Sequence, residues 1–220
     1  MSVRLAVFDC DGTLVDGQAD VCAAMEAAFA AAGLAPPPRS ATRRIVGLSL
    51  PEAMRRLHPA GGTERHDALA AHYRDAYRER RAGGLIDEPL FDGMAGLLER
   101  LAADGWRLGV ATGKSDRGLA HCLAAHGIAG RFVTLQTADR HPSKPHPAML
   151  EAAIAAVGAA RGDTVMIGDT AYDMAMARAA GTRAIGVAWG YHDAEELIAA
   201  GAEAVADDAA GLGDLLEARR

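Results

Sequence analysis

At 220 residues, half of them apolar and 5% aromatic, the chain is long enough to bury a substantial core, as one domain or as a domain with a large insertion. A net charge of −6 with no basic run argues against a nucleic-acid-binding surface, so an anionic ligand would have to be met by local positive charge. Three cysteines, odd in number and not at metal-ligand spacing, fit the reduced thiols of a cytoplasmic protein; no leader is evident, and no apolar run approaches the length that spans a membrane.

Residues 3–8 are mostly apolar and stop at a polar cluster, which predicts a short strand buried on both faces. Extended backbone alternates its side chains, so Asp9 and Asp11 point to one side and Cys10 to the other. Gly12 then lets the chain turn sharply. Two carboxylates this close need a cation or a shared proton. A hard divalent ion such as Mg²⁺ suits carboxylate oxygens together with water and a substrate phosphate. An ordinary Asp-Gly surface turn is the plainer interpretation of this stretch taken alone. Cys10, turned away, reads as a buried structural thiol.

Val21, Met25 and Phe29 recur at four-residue spacing and predict a helix over 18–32, stopped by Gly33. Prolines at 36–38 make a stiff connector, and the basic pair Arg43-Arg44 precedes the stretch 45–49. Pro51 sits where a helix over 51–57 would start. Leu69, Tyr73, Ala76 and Tyr77 share one face of a further helix that opens at Thr63 and ends at Gly83-Gly84. No strand is convincing between 16 and 85, so this stretch reads as a helical subdomain inserted after the first strand.

Beyond it the pattern alternates. Met94, Leu97, Leu98 and Leu101 mark a helix, and a strand over 106–111 runs into Thr112-Gly113-Lys114-Ser115. A helix on Leu119, Cys122 and Leu123 leads to a strand over 132–135. Lys144 lies in a loop braced by Pro142, Pro145 and Pro147, and Leu150, Ala153, Ile154 and Val157 mark the next helix. A strand over 164–167 ends in Gly168-Asp169-Thr170. Strands over 183–188 and 204–206 follow, with helices between and after them. Such alternation predicts an α/β fold with a parallel sheet covered on both faces.

In open parallel sheets ligands gather at the carboxyl ends of the strands. Asp169 with Asp9 would complete a carboxylate set for Mg²⁺, with Asp173 acting through water or through another ligand. Thr112 offers a hydroxyl, and the backbone N–H groups of Gly113 and Lys114 at a helix start suit phosphate oxygens. Lys144 adds a compact positive charge. Each has a plainer explanation when taken singly: a strand-to-helix turn, a surface lysine, a helix cap. Their occurrence together, on successive strand ends, points to phosphoryl transfer. His141 and His146 flank Lys144 without the further ligands a zinc site needs. Arg44, close to Gly47 in the inserted segment, could meet a substrate anion; a solvated face is the alternative.

The set Asp9-x-Asp11-Gly12-Thr13, Thr112-Gly113, Lys144-Pro145 and Gly168-Asp169-x-x-x-Asp173 resembles the motifs of the haloacid dehalogenase superfamily, in particular its phosphoglycolate-phosphatase-like branch. The resemblance runs over nearly the whole chain. It implies a Rossmann-like parallel-sheet core over 1–15 and 86–220 and an inserted α-helical cap over 16–85. It also implies a Mg²⁺-dependent phosphatase that hydrolyses a small phosphate monoester through an aspartyl-phosphate, with 2-phosphoglycolate as the single best expectation. Asp9 would be the nucleophile and Asp11 the general acid and base. Asp9, Asp169 and the main-chain carbonyl of Asp11 would hold the metal. Gly17 stands where relatives often carry Ser, which bears on hinge or substrate contacts. A phosphomutase similar to β-phosphoglucomutase shares core and cap and is the alternative. A 2-haloacid dehalogenase would not need the second acid, so Asp11 and Asp169 speak against it. A silent binding protein would be expected to have lost one of Asp9, Asp11, Lys144 or Asp169, and all four are present.

Overall fold

Strand β1, Leu5–Phe8, is buried along its whole length. It lies inside a six-stranded parallel sheet in the order β3-β2-β1-β4-β5-β6. The other strands are β2 (Arg107–Thr112), β3 (Thr134–Thr137), β4 (Thr164–Gly168), β5 (Arg183–Val187) and β6 (Ala204–Ala206). This computed structural model describes residues 2–218. In register, Phe8 pairs with Val110 on one side and Ile167 on the other, so the residues that follow β1, β2 and β4 emerge together. The chain winds away from β1 in both directions, which opens a crevice at the carboxyl edge of the sheet.

The pleat sorts the apolar side chains of β1 onto two faces. Ala6 and Phe8 join Val110, Ile167 and Ile185 in a core covered by α5 (Met94–Ala103), α6 (Asp116–Ala125) and α10 (Ala209–Glu217). Leu5 and Val7 join Met166 in a second core under α7 (Ala148–Val157), α8 (Ala171–Ala180) and α9 (Ala194–Ala200). Full burial of each large apolar side chain contributes about 1.5–3 kcal/mol. β3 begins two residues later than its sequence suggests. A 3-10 turn over Ala129–Arg131 delivers Phe132 to the core first.

Residues between β1 and α5 form α1 (Gln18–Ala31), α2 (Arg39–Arg43), α3 (Leu50–Leu57) and α4 (Thr63–Ala82). These helices close around an apolar centre of their own that includes Met25, Phe29, Leu48, Met54 and Leu69. Helix α2, Arg-Ser-Ala-Thr-Arg, has no apolar period and was not anticipated; Thr42 is its buried residue. The chain leaves and re-enters the sheet side by side. Asp16 N donates to Pro89 O at 2.9 Å, Phe91 N donates to Leu14 O at 3.0 Å, and Val15 and Leu90 form an antiparallel bridge. Among the described residues no helix is long and apolar enough to cross a membrane.

Candidate active site

Because β1 and β4 are neighbours in register, Asp9 and Asp169 come out of the sheet next to each other. Asp9, Asp169 and Asp173 are all buried and offer carboxylate oxygens within 4.8 Å of one another. Lys144 reaches them from its proline-braced loop. Its Nζ lies 2.9 Å from Asp9 Oδ1 and 2.7 Å from Asp173 Oδ1, and its side chain is 0% exposed. Asp9 Oδ1 also accepts from Cys10 N at 2.6 Å, whereas Asp9 Oδ2 is buried with no hydrogen-bond partner. Asp169 accepts from Thr13 Oγ1 at 2.8 Å and Tyr191 N at 3.0 Å. Asp173 uses one oxygen to cap α8, accepting from Thr170 Oγ1 at 2.7 Å, and turns the other to Lys144.

Three carboxylates thus lie together away from water with one ammonium, which pairs with two of them, Asp9 and Asp173. Burial pushes Asp9 up to about 7 despite the pull of Lys144, with Asp173 adding to the rise. Burial, then Asp9 and Asp173, hold Asp169 well above the usual carboxylate range. Burial works against the charge on Lys144, but Asp173 and Asp9 outweigh it and keep the ammonium protonated. A buried excess of negative charge in an all-oxygen donor set suits a hard cation such as Mg²⁺.

The remaining residues expected to act are placed around this cluster. Thr112 is buried at the end of β2, and its Oγ1 accepts from Lys114 N at 3.2 Å. That contact takes the Lys114 N–H expected to meet phosphate. Its side chain instead lies 3.0 Å from Asp11 Oδ1 and 2.6 Å from Glu88 Oε1. Gly113 packs so closely under the inserted segment that a Cβ would fall 2.4 Å from Leu48 O. Gly47, at φ 91°, lies over Asp9; a Cβ there would come 3.6 Å from Asp9 Oδ2.

Arg44 is turned elsewhere. Its guanidinium makes a bidentate pair with Glu196 of α9, both contacts at 2.7 Å, so it ties the inserted helices to the core. A cavity of about 580 Å³ opens beside Asp11 between the inserted helices and the sheet. Arg74, Arg78 and Arg81 of α4 and Arg117 of α6 line it, against an apolar side that includes Met25 and Ile45. Cys10 faces away, with its Sγ 3.8 Å from that of Cys122. His141 contacts Gln136 Oε1 at 2.7 Å and takes no part in the cluster.

Two residues that contact this region were not singled out from sequence. Glu88 sits on the returning connection just before Pro89, and Tyr77 OH donates to its Oε1 at 2.7 Å. Tyr77 had been expected only as part of an apolar helix face. A lone Glu before a proline carries no pattern, so nothing local distinguishes it from a solvated charge.

The sequence model of the haloacid dehalogenase-like hydrolases matches residues 3–181. IndB of Dickeya dadantii, described as a probable phosphatase, is 35% identical over 209 residues, spanning 92% of this chain and 89% of that protein. The phosphoglycolate phosphatase of Rhodospirillum rubrum is 33% identical over 219 residues, spanning 97% and 90%. Among solved structures, a hydrolase from Pseudomonas syringae superposes with a TM-score of 0.87 at 26% identity, covering 98% of this chain and 99% of that one.

Proposed function

The chain belongs to the haloacid dehalogenase-like hydrolase family, and from that premise we propose that it is a Mg²⁺-dependent phosphatase working through an aspartyl-phosphate on Asp9, with 2-phosphoglycolate as the first substrate to try. The observation that carries this reading is the buried, unpartnered Asp9 Oδ2 beside Lys144 and Asp169.

Asp9 Oδ1 is held by Cys10 N and faces Lys144, which leaves Oδ2 as the oxygen available to attack phosphorus. A phosphate dianion is repelled by that carboxylate, and Lys144 offsets the repulsion. Asp9, Asp169 and the main-chain carbonyl of Asp11 would hold Mg²⁺, which supplies further neutralisation of the transferring group when bound. Thr112 accepts from Lys114 N, so its own O–H is free to donate to a phosphoryl oxygen. The Oδ2–P bond forms as the P–O bond to the leaving group breaks, and Asp11 gives that oxygen its proton. Burial raises the Asp11 carboxyl, and Glu88 adds to the rise, while Lys114 opposes it. In the second half Asp11 takes a proton from water as the water oxygen attacks phosphorus. The P–Oδ2 bond breaks, and inorganic phosphate leaves.

Residues 16–85 act in this reading as a cap over the core of 1–15 and 86–220. Their separate apolar centre and the paired connections at Val15 and Leu90 support that division. The cationic side of the cavity suits a substrate that carries a carboxylate as well as its phosphate. The same cavity has room for a sugar phosphate, which keeps a phosphomutase as the second reading. A cytoplasmic location belongs to the proposal and rests on the three unpaired thiols.

The test is phosphate release from a panel of phosphorylated metabolites, with Mg²⁺ and with excess chelator, together with the mass of acid-quenched protein. Release that needs Mg²⁺, and a phosphoenzyme that Asp9→Asn abolishes, are expected. Full activity in chelator, or a phosphorylated Asp9→Asn protein, refutes the reading.

A further inference from the structure

Lys114 and Glu88 lie outside the cluster of Asp9, Asp169 and Asp173, yet Lys114 is buried against the Asp11 side chain and Glu88 against Lys114. We propose that they are positioning residues for Asp11, holding its carboxyl where the leaving oxygen will be. The inference rests on the reading of Asp11 as general acid and base.

Lys114 Nζ stands between two carboxylates, 3.0 Å from Asp11 Oδ1 and 2.6 Å from Glu88 Oε1. The three side chains are 9%, 12% and 6% exposed in the order Lys114, Asp11, Glu88, so little solvent screens the contacts. A lysine stem alone is a flexible support; a second carboxylate at 2.6 Å turns it into a fixed one. Glu88 is itself fixed. Tyr77 OH donates to its Oε1 at 2.7 Å, Arg81 lies 3.5 Å from its Oε2, and the His126 ring contacts its carbonyl at 2.8 Å. The backbone beside it is tied by the Asp16 to Pro89 hydrogen bond.

Gly17 shows how closely the group is packed. A Cβ there would fall 2.9 Å from Asp11 Oδ1 and 3.2 Å from Glu88 Oε1, so a Ser at this position would crowd the assembled carboxylates. The glycine and the Glu88–Lys114 pair therefore fit together as one arrangement. A proton donor held at the reacting oxygen gains its advantage from orientation, and losing that orientation slows steps that need the proton.

That dependence gives a test a structural role would not satisfy. Between free enzyme and phosphoenzyme, kcat/KM reports only the first irreversible step. An alkoxide needs the Asp11 proton in that step, whereas 4-nitrophenolate leaves without it. Glu88→Gln keeps shape and an acceptor for Tyr77 while removing the charge that anchors Lys114. It should lower kcat/KM for an alkyl ester (2-phosphoglycolate, or glycerol phosphate if that is the better substrate) by roughly tenfold or more. The value for 4-nitrophenyl phosphate should stay within about twofold. Lys114→Gln should give the same selective loss, and it carries the test if Glu88→Gln does not fold. Glu88→Gln added to Asp11→Asn should cause no further loss, because the group it positions is already gone. Equal losses on both esters, losses that multiply in the Asp11→Asn background, or no loss at all would overturn the proposal. An unmodified protein that hydrolyses neither ester refutes the phosphatase reading itself, and the positioning role falls with it.

Discussion

Removing the proposed nucleophile should make the metal-free protein more stable. Burial lifts the Asp9 carboxyl from 3.8 to about 7. Between those values the folded chain keeps a proton that the unfolded chain has released, so stability falls as pH rises through the window from about 4 to 7. At 1.36 kcal/mol per unit, a difference of about three units amounts to ~4 kcal/mol lost at pH 8. Asn at this position keeps the size of Asp and an oxygen for Cys10 N and Lys144 but carries no charge. Lys144 retains Asp173 at 2.7 Å. In excess chelator at pH 8, Asp9→Asn should therefore be the more stable protein by about 4 kcal/mol, a gain that shrinks below about 1 kcal/mol by pH 4. At about 2–4 °C per kcal/mol for a chain of this size, the midpoint should rise by roughly 8–16 °C at pH 8. Thermal unfolding of both proteins by calorimetry or circular dichroism at several pH values measures this directly. Mg²⁺ should narrow the gap, since at a hundred times its Kd it would stabilise the unmodified protein by about 2.7 kcal/mol. A variant less stable than the parent at pH 8, or a gap that does not change with pH, would refute the reasoning.

Lys144→Met should abolish phosphoenzyme formation and, at pH 8 without metal, destabilise the fold by about 3–5 kcal/mol, because it leaves Asp9 and Asp173 buried without their cation; quenched-protein mass and thermal unfolding report the two effects. Arg74→Ala and Arg117→Ala should each raise KM for a carboxylated ester several-fold while sparing ethyl phosphate, and equal changes on both substrates would remove these residues from recognition. Arg44→Ala should do neither, and should change stability by no more than about 1 kcal/mol, since its partner Glu196 lies at the surface. Gly47→Ala places a side chain at φ 91° with its Cβ 3.6 Å from Asp9 Oδ2, so it should lower kcat and destabilise by about 1–2 kcal/mol, which unfolding and steady-state kinetics check together.

What could be anticipated from the chain followed from how locally each feature is encoded. The apolar run ending in Asp9 announces a buried strand and the acids at its end within a few residues. The periods of α1 and α4 are likewise complete within themselves. Lys144 stands out in the chain as a candidate cation from its proline-braced loop. Its complete burial between Asp9 and Asp173 depends on β1 and β4 being neighbours, which no local pattern expresses. Arg44 was singled out because it is close in sequence to Gly47. Gly47 does lie over Asp9, but the side chain three residues earlier turns to Glu196, because α9 brings a carboxylate within 2.7 Å on that side. Glu88 and Lys114 meet only when the returning connection and the end of β2 are brought together. Their partnership belongs to the tertiary structure alone.

The place of β1 in the sheet has a consequence for the chain while it is being made. It is the first strand in sequence, yet its two neighbours begin only at Arg107 and Thr164. At about 5–20 residues per second, the first edge stays open for roughly 5–20 s and the second for roughly 8–30 s. A fully apolar Leu-Ala-Val-Phe with both edges unpaired is, for that interval, a template on which another nascent chain can pair. Arg4 stands immediately before it, and Asp9 and Asp11 stand immediately after it, where charges oppose such pairing. The acids to which we assign the chemistry of the finished molecule stand guard over the newborn strand as well. Neutral residues at 9 and 11 should therefore lower the yield of soluble protein during synthesis, measured as the soluble fraction at expression, even where one of them should raise the thermal stability of the folded product.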